Sequence, residues 1–391
     1  MILFVMENYN EQRVYDNFSL YFNAISEPRQ PGKIKHLLSE VLFISTIAVI
    51  SGADDFEEIA DYADAKKNWL STILKLPYGI PSHDTFNRVL CAIDPSEFEQ
   101  AFINWISVYR NNLPQTEEKD IIPIDGKTIC NSADKNKEIK ALHMVSALST
   151  KHGLILGQQK CYEKSNEIVA IPELLKMIDI KDSIITIDAM GTQKNIAEKI
   201  IKKNADYILA LKGNQGNLYQ EVVDLFDKIK TQQFEYYIHQ QDTEIDKGHG
   251  RIETRHCVTI NNLDWLYETQ YWKGIKSIAK ITSTVFKKDI ETTEVRYYIS
   301  SLDGNANLVN RAVRKHWHIE NKLHWVLDVL FKEDYCRVRT GNGAENLSIL
   351  RKIALNKLKS ENSTKDSLKQ KRKKASWQDS YAIKILLEMM K

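Results

Sequence analysis

The most constraining feature of this 391-residue chain is a carboxylate in the wrong place. In RKHWHIENKLHWVLDVLFKEDYCRVR, positions 314–339, a helical step of about 100° per residue puts Trp317, Ile319, Leu323, Val326, Leu327, Leu330 and Phe331 on one continuous arc. Glu320 lies inside that arc, with His324 one turn on beside it. Arg314, Lys315, His318, Lys322 and Lys332 fill the opposite side, so the segment predicts an amphipathic helix whose apolar face contains an acid. An unpaired buried carboxylate costs several kcal/mol and is normally neutralised, paired with a base or bound to a metal. The fold therefore has to give Glu320 either a basic partner or a cation.

Two further acids end hydrophobic runs: Asp125 follows IIPI and Asp188 follows IITI. Branched apolar residues of this kind mark strands in the middle of a covered sheet, and the carboxyl end of such a strand is where α/β sheets present ligand sites. One such Asp is an ordinary cap. Two of them plus Glu320 make three acids from three distant segments that a fold can bring together. Clustered carboxylates repel and take up protons unless a cation compensates, and Asp and Glu oxygens suit hard Mg²⁺ or Mn²⁺. The chemistry implied is two-metal phosphoryl transfer, with ions about 3.5–4 Å apart serving the attacking and leaving oxygens.

The bulk numbers exclude several other classes. A hydrophobic content of 43% supports real cores, and the longest apolar run, VLFISTIAVI at 41–50, is too short to span a bilayer. The N-terminus lacks the basic-then-apolar order of a signal peptide, so a soluble, cytoplasmic protein is expected. Five scattered cysteines without CxxC pairs indicate neither a disulfide framework nor a zinc site. The net charge of +2 conceals the densely basic KLKSENSTKDSLKQKRKK at 357–374. Its Lys371, Arg372, Lys373 and Lys374 are expected either to contact a phosphate backbone or to form a solvated tail.

Along the chain, residues 1–30 carry no clear pattern. Helical periodicity over 34–50, 56–65, 69–74, 82–92 and 95–109 predicts an all-helical N-terminal domain, residues 1–115, for which DNA binding is expected. Its IPSHDTFNRVL segment is either a recognition helix or a helix whose Phe86, Val89 and Leu90 form core. Strands are expected at 121–125, 143–149, 154–159, 184–188 and 207–211, with helices at 166–178, 192–203 and 217–226. That order predicts a mixed α/β catalytic domain over 119–222 and 294–360, interrupted by a β-rich insertion at 223–293. A basic tail and final helix follow at 361–391.

Taken together, DGKTI at Asp125, HMVSALS at His143, KSNEI at Lys164, IPELL at Ile171, TIDAMGTQ at Thr186, ADYILALKGNQ at Ala205, GHGR at Gly248, RYYISSL at Arg296 and HWHIENKLHWVLDVLFKED at His316 resemble the ISAs-type DDE transposases of bacterial insertion sequences, which include the H-repeat-associated proteins. KHLLSEVLFISTIAVISGADDFEEIADYA and GIPSHDTFNRVL resemble the domain that precedes the catalytic one in that family. The likeness covers residues 30–360. It implies an RNase H-like α/β catalytic domain, two Mg²⁺ or Mn²⁺ ions, metal-dependent DNA cleavage and strand transfer, and a homodimer on DNA. The DDE triad, which is also the metal-ligand set, maps onto Asp125, Asp188 and Glu320.

Asp328, about 80° from Glu320 on the same helix, is the rival third acid, and an ion pair is the expected role for it. Asp179, Asp182, Asp206, Glu333 and Asp334 are expected as caps or surface charge. Lys127 and Thr128, and the Lys212, Asn214 and Gln215 group, either meet scissile phosphates or cap the turns that follow them. His324 either orients a water, contacts DNA or makes a structural hydrogen bond. Arg251 and Arg255 share one strand face preceded by His249, which reads as DNA contact or as a solvated edge. Trp317 and Trp325 read as core and interface. The family's small basic turn after DGKT, Leu-Arg-Gly-Ser, is here Ile129-Cys130-Asn131-Ser132. The Tyr-Arg-Glu-Lys pattern of related groups falls on Val313, His316, Glu320 and Leu327, which leaves DNA clamping to His316 or Arg314. Lys373 completes the expected DNA contacts.

Overall fold

The branched runs form the strands expected of them. The computed structural model describes residues 11–114, 116–134, 138–161, 167–232, 237–248 and 250–388. Among these, the first five strands are β1 (Ile121–Ile129), β2 (Leu142–Leu148), β3 (Ile155–Cys161), β4 (Ile184–Ile187) and β5 (Asp206–Leu211). They are followed by β6 (Gln240–Gly248), β7 (Arg251–Ile260), β8 (Ser277–Lys287) and β9 (Ile290–Ser300). All nine join one sheet in the order β3-β2-β1-β4-β5-β9-β8-β7-β6. β1, β2 and β3 pair antiparallel, while β4 pairs parallel to both β1 and β5. The segment expected as a β-rich insertion supplies β6, β7 and β8, which extend the same sheet, because β9 pairs antiparallel with β5 and carries them outward. The inner ends of β8 and β9 are buried and the outer ends exposed, so the hairpin extends past the core.

Helices α1 (Glu11–Phe22), α2 (Leu38–Ser51), α3 (Phe56–Ala65), α4 (Lys67–Ile73), α5 (His83–Ala92) and α6 (Pro95–Asn112) precede the sheet. α7 (Glu167–Met177), α8 (Lys194–Lys202) and α9 (Asn217–Gln232) follow β3, β4 and β5. After β9 come α10 (Ala306–His316), a π-helical turn at Glu320–His324, α11 (Trp325–Leu330), α12 (Gly343–Ser360), α13 (Leu368–Trp377) and α14 (Asp379–Leu387). Period-two alternation sorts the central strands. Ile121, Ile184 and Ile208 pack against Ala306, Val309, Ala312 and Val313 of α10, and Ile122, Ile124, Ile185 and Ile187 join the larger core on the opposite face.

α2 has no polar face, and every one of its residues is buried. It packs against α12 and α13, so the N-terminal helices and the end of the chain share one core. The stretch before residue 30 is not featureless: Val14, Phe18 and Phe22, one turn apart on α1, are buried, with Phe18 edge-on to Phe43 at 5.4 Å. On α5, Phe86, Val89 and Leu90 are core while His83, Asp84, Asn87 and Arg88 are exposed.

The basic segment departs most from expectation. Lys371 and Arg372 are buried, not solvated. The Lys371 ammonium donates to the Leu358 and Glu361 carbonyls at the end of α12. Arg372 donates to Leu330 O at the end of α11 and to Val49 O near the end of α2, and stacks on Phe331 at 4.3 Å. The last carbonyls of a helix have no partner within it and carry the negative end of its dipole. Two cations of the KRKK run satisfy those ends, Lys374 pairs with Asp366, and Lys373 is left exposed.

Candidate active site

Register brings the two strand-ending acids together. Ile124 of β1 lies opposite Ile187 of β4, so Asp125 and Asp188, the next residues, follow on strands whose spacing is roughly 4.8 Å. By alternation both fall on the face covered by α10. The Asp125 carboxyl is pushed up to about 7, chiefly by burial; a hydrogen bond from the Gly126 N–H opposes this, and the charges of Asp188, Glu167 and Glu320 add to it. Asp188 sits in a braced turn. Its Oδ1 accepts from the Met190 and Gly191 N–H groups at 3.1 and 3.2 Å, and the Thr192 hydroxyl lies 3.0 Å from Asp188 O and 2.7 Å from Ala210 O.

The helix after β9 delivers the remaining groups. α10 ends at His316, whose Nδ1 lies 3.0 Å from the Thr186 hydroxyl on β4. Burial pushes His316 down to about 4, against the pull of Asp188. Past Trp317 the chain winds a π-helical turn, and His324 Nδ1 comes within 3.6 Å of Asp125 Oδ2. Burial pushes His324 down to about 3, with the Lys352 and Lys127 charges acting in the same direction, so both imidazoles are neutral near pH 7.

Here the expected wheel is corrected. Ile319, Leu323, Val326, Leu327 and Phe331 are buried as drawn, but Glu320 is exposed. The wheel assumes a uniform step, whereas the break at Trp317 and the wider π turn change the phase at Glu320 itself. Burial raises its carboxyl and nearby Arg296 opposes the shift. Among the described residues, no three His, Cys, Asp or Glu side chains stand as a ready metal cluster. The donor set itself, all carboxylate oxygen with Asp125 raised by burial and by the nearby acids, has the chemistry that a hard divalent cation satisfies.

The model for the family described as "Transposase DDE domain" matches residues 116–357, and the one described as "DDE_Tnp_1-associated" matches residues 20–106. The chain belongs to the DDE transposase family. It is 42% identical over 372 residues to the "H repeat-associated putative transposase YhhI" of Escherichia coli (strain K12), covering 94% of this chain and 96% of that one. It is 43% identical over 370 residues to the "Putative transposase YncI" of Escherichia coli O157:H7, covering 94% and 93%. A piggyBac transposase synaptic complex with hairpin DNA aligns over 98% of this chain and 81% of that one, at 10% identity and a TM-score of 0.41. The DDE match contains Asp125, Asp188 and Glu320 and stops short of α13 and α14.

The other candidates of this DDE transposase are dispersed. Lys127 is enclosed by Asp328, Asp334 and Glu333 at 2.7, 2.9 and 3.6 Å, so Asp328 has the expected ion pair. Asn214 and Gln215 both donate to the Ala189 carbonyl, at 2.8 and 2.7 Å, clamping the turn that carries Asp188. Lys212 beside them is exposed. Arg314 pairs with Asp246 at 2.9 Å, exposed Arg251 lies 3.6 Å from Glu253, and Lys373 sits on α13, against α2. His249 and Lys164 lie outside the described residues. In the changed turn after β1, the Cys130 N–H and the Asn131 amide bind Asp334.

Sequence reasoning missed a buried pair beside Asp125. His143 Nε2 lies 2.6 Å from Glu167 Oε1, and its Nδ1 lies 2.8 Å from the Thr128 hydroxyl. The available signal was a histidine at the head of a strand that pairs with the strand of Asp125.

Proposed function

We propose that this DDE transposase cuts DNA at the ends of its own insertion sequence and joins the freed 3'-hydroxyls to target DNA by direct transesterification. The observation that carries the reading is the adjacency of Asp125 and Asp188 at the carboxyl ends of β1 and β4, beneath the helix that brings His324 to Asp125. The order β3-β2-β1-β4-β5, antiparallel then parallel, supports an RNase H-like catalytic core. Asp125 and Asp188, with Glu320 joining from the rim, are the residues to hold Mg²⁺ or Mn²⁺. Two such ions, when bound, activate the attacking hydroxyl and stabilise the leaving 3'-oxygen.

The chain's own groups prepare that site. The Met190 and Gly191 N–H groups and the Asn214–Gln215 clamp orient Asp188. Neutral His324 and His316 border the acids without adding competing positive charge. To hold such a cation, Asp125 would give up the proton that it keeps near neutrality. Lys212, exposed beside the Asp188 turn, and Arg314 are the cations best placed for the DNA backbone. Work on two ends calls for a homodimer on DNA, in the cytoplasm.

The test is nicking of a duplex carrying the sequence that flanks the gene. Cleavage that requires Mg²⁺, disappears in Asp188→Asn and Glu320→Gln while DNA binding persists, and is only mildly reduced in Asp328→Asn is the expected result. Binding without cleavage overturns the enzyme reading, and failure of pre-cut 3' ends to join target leaves a hydrolytic nuclease.

A further inference from the structure

A second concentration of charge lies where the outer part of the β7–β8–β9 sheet meets the helix that carries Glu320. A cleft of about 370 Å³ opens there, lined by Glu253, Arg255, Arg296, Arg314, Trp317 and Glu320 among others. One carboxylate occupies the middle of a group of arginines. Glu253 has Arg255 at 3.3 Å, Arg251 at 3.6 Å and Arg314 at 3.7 Å, and accepts from the Ser283 hydroxyl at 3.2 Å. An arginine well matched to a carboxylate closes to about 2.7–2.9 Å. Three guanidinium groups sharing one acid, each beyond that distance, hold it loosely.

Arg255 supplies an independent sign that the site is made for a larger anion. It is buried at 6% exposure, and its Nη2 donates to Glu244 at 2.8 Å. Its Nε and Nη1 have no hydrogen-bond partner among the described residues. Unmet donors on a buried cation are costly. Two carboxylate oxygens cannot serve three guanidinium groups and a hydroxyl at full strength, whereas the two non-bridging oxygens of a phosphodiester, set wider apart on a tetrahedral centre, meet donors that converge from several directions. On the far side Arg296 is gripped by Glu294 at 2.8 and 2.9 Å and stacks on Trp317 at 5.1 Å, which forms a fixed wall leading to Glu320.

We propose that this cleft is a subsite for a backbone phosphate of the bound DNA, and that Glu253 holds its place until DNA displaces it. The proposal rests on the reading that the chain acts on DNA. Arg255 and Arg314 keep Glu244 and Asp246 as close partners at 2.8 and 2.9 Å, and Glu253 is the second, looser acid that closes the cleft to weak anions. A phosphate tethered in a duplex, with neighbouring phosphates already bound, outcompetes it. Because Glu320 lines the same cleft, occupancy sets the path of the strand toward Asp125 and Asp188.

The experiment is fluorescence anisotropy in EDTA, with a labelled 30-base-pair duplex bearing the flanking sequence and a scrambled duplex of equal length, across a salt series. Glu253→Gln removes the competing charge and is expected to tighten binding of both duplexes by about three- to tenfold. Arg314→Gln is expected to weaken binding by a similar factor and to lower the salt slope by about one. The gain from Glu253→Gln is expected to shrink when Arg314 is already replaced. Circular dichroism melts check that each variant is folded. A folded Glu253→Gln protein that binds no tighter overturns the subsite while wild-type binding keeps the DNA reading intact. If wild type binds neither duplex, the DNA reading itself fails and the subsite falls with it.

Discussion

A single methyl group at position 126 tests how tightly the ground beside Asp125 is built. A Cβ on Gly126 stands 2.3 Å from Glu167 Oε1, 2.6 Å from His143 Nε2 and 2.8 Å from Glu167 Cδ. Neither neighbour yields easily. Glu167 and His143 are 5% and 3% exposed, are bonded to each other at 2.6 Å, and His143 is tethered to Thr128 at its other nitrogen. Relieving the overlap means parting that pair. Overpacking of this kind costs about 1–3 kcal/mol, and leaving the two buried polar groups poorly matched adds about 1–3 kcal/mol. The lower unfolded-state entropy of alanine returns about 0.4–1 kcal/mol, so Gly126→Ala should destabilise by roughly 1–5 kcal/mol, centred on about 3 kcal/mol. With a urea m-value of about 3 kcal/mol/M, the midpoint falls by about 1 M. Gly213→Ala, which meets nothing within 4 Å, is the control and should stay within about 0.5 kcal/mol of wild type. In an Glu167→Ala background the cost of Gly126→Ala should drop, because the nearest obstacle is gone. An unchanged midpoint for Gly126→Ala, or full additivity with Glu167→Ala, would refute the reasoning.

Three further outcomes are expected. Asp125 holds its proton up to about pH 7 when folded, against an ordinary value of 3.8, so its contribution to stability is complete below pH 3.8 and is lost as the pH rises to 7. In EDTA, Asp125→Asn should therefore be more stable than wild type at pH 8, by at most about 4 kcal/mol, with the gap closing toward pH 4, as read from urea midpoints. Asn214→Ala combined with Gln215→Ala frees the Ala189 carbonyl and loosens the Asp188 turn; faster amide exchange at Met190 and Gly191 is the readout, with little change in global stability. Arg372→Gln should cost about 3–5 kcal/mol, because it strips a buried cation from two helix ends and a ring. Lys373→Gln, its exposed neighbour, should stay within about 0.5 kcal/mol of wild type in the same denaturation series.

What was legible in the sequence is what obeys a fixed period. Runs such as IIPI and IITI declare central strands, and period two together with the parallel register is sufficient to set Asp125 and Asp188 side by side. The helix after β9 was legible in its apolar contacts for the same reason. Glu320 was misread because one wheel was drawn through a segment that changes its winding at Trp317 and again from Glu320 to His324. No composition rule marks a π turn, which forms where tertiary contacts favour it. α1 was overlooked although Val14, Phe18 and Phe22 have helical spacing, because the polar residues between them mask a narrow stripe. The His143–Glu167 pair joins residues 24 apart. Their meeting follows from the packing of α7 against β2, a tertiary contact with no local pattern.

The basic segment shows why net charge along a sequence predicts little about which face meets DNA. A lysine or arginine is equally suited to a phosphate and to the carbonyl end of a helix, and local sequence does not distinguish the two. Here Arg372 holds the last turn of α11, while Lys359 donates to the Gly153 carbonyl and to Lys322 O within the π turn. A π turn leaves carbonyls that the regular ladder would have used, and Lys359 satisfies one of them. The segment bearing Glu320 and His324 is thus held from behind by cations of α12 and α13, while its front faces Asp125 and the arginine cleft. Two cations of the segment expected either on a phosphate backbone or in solvent, Lys359 and Arg372, instead bind the backbone of that one segment.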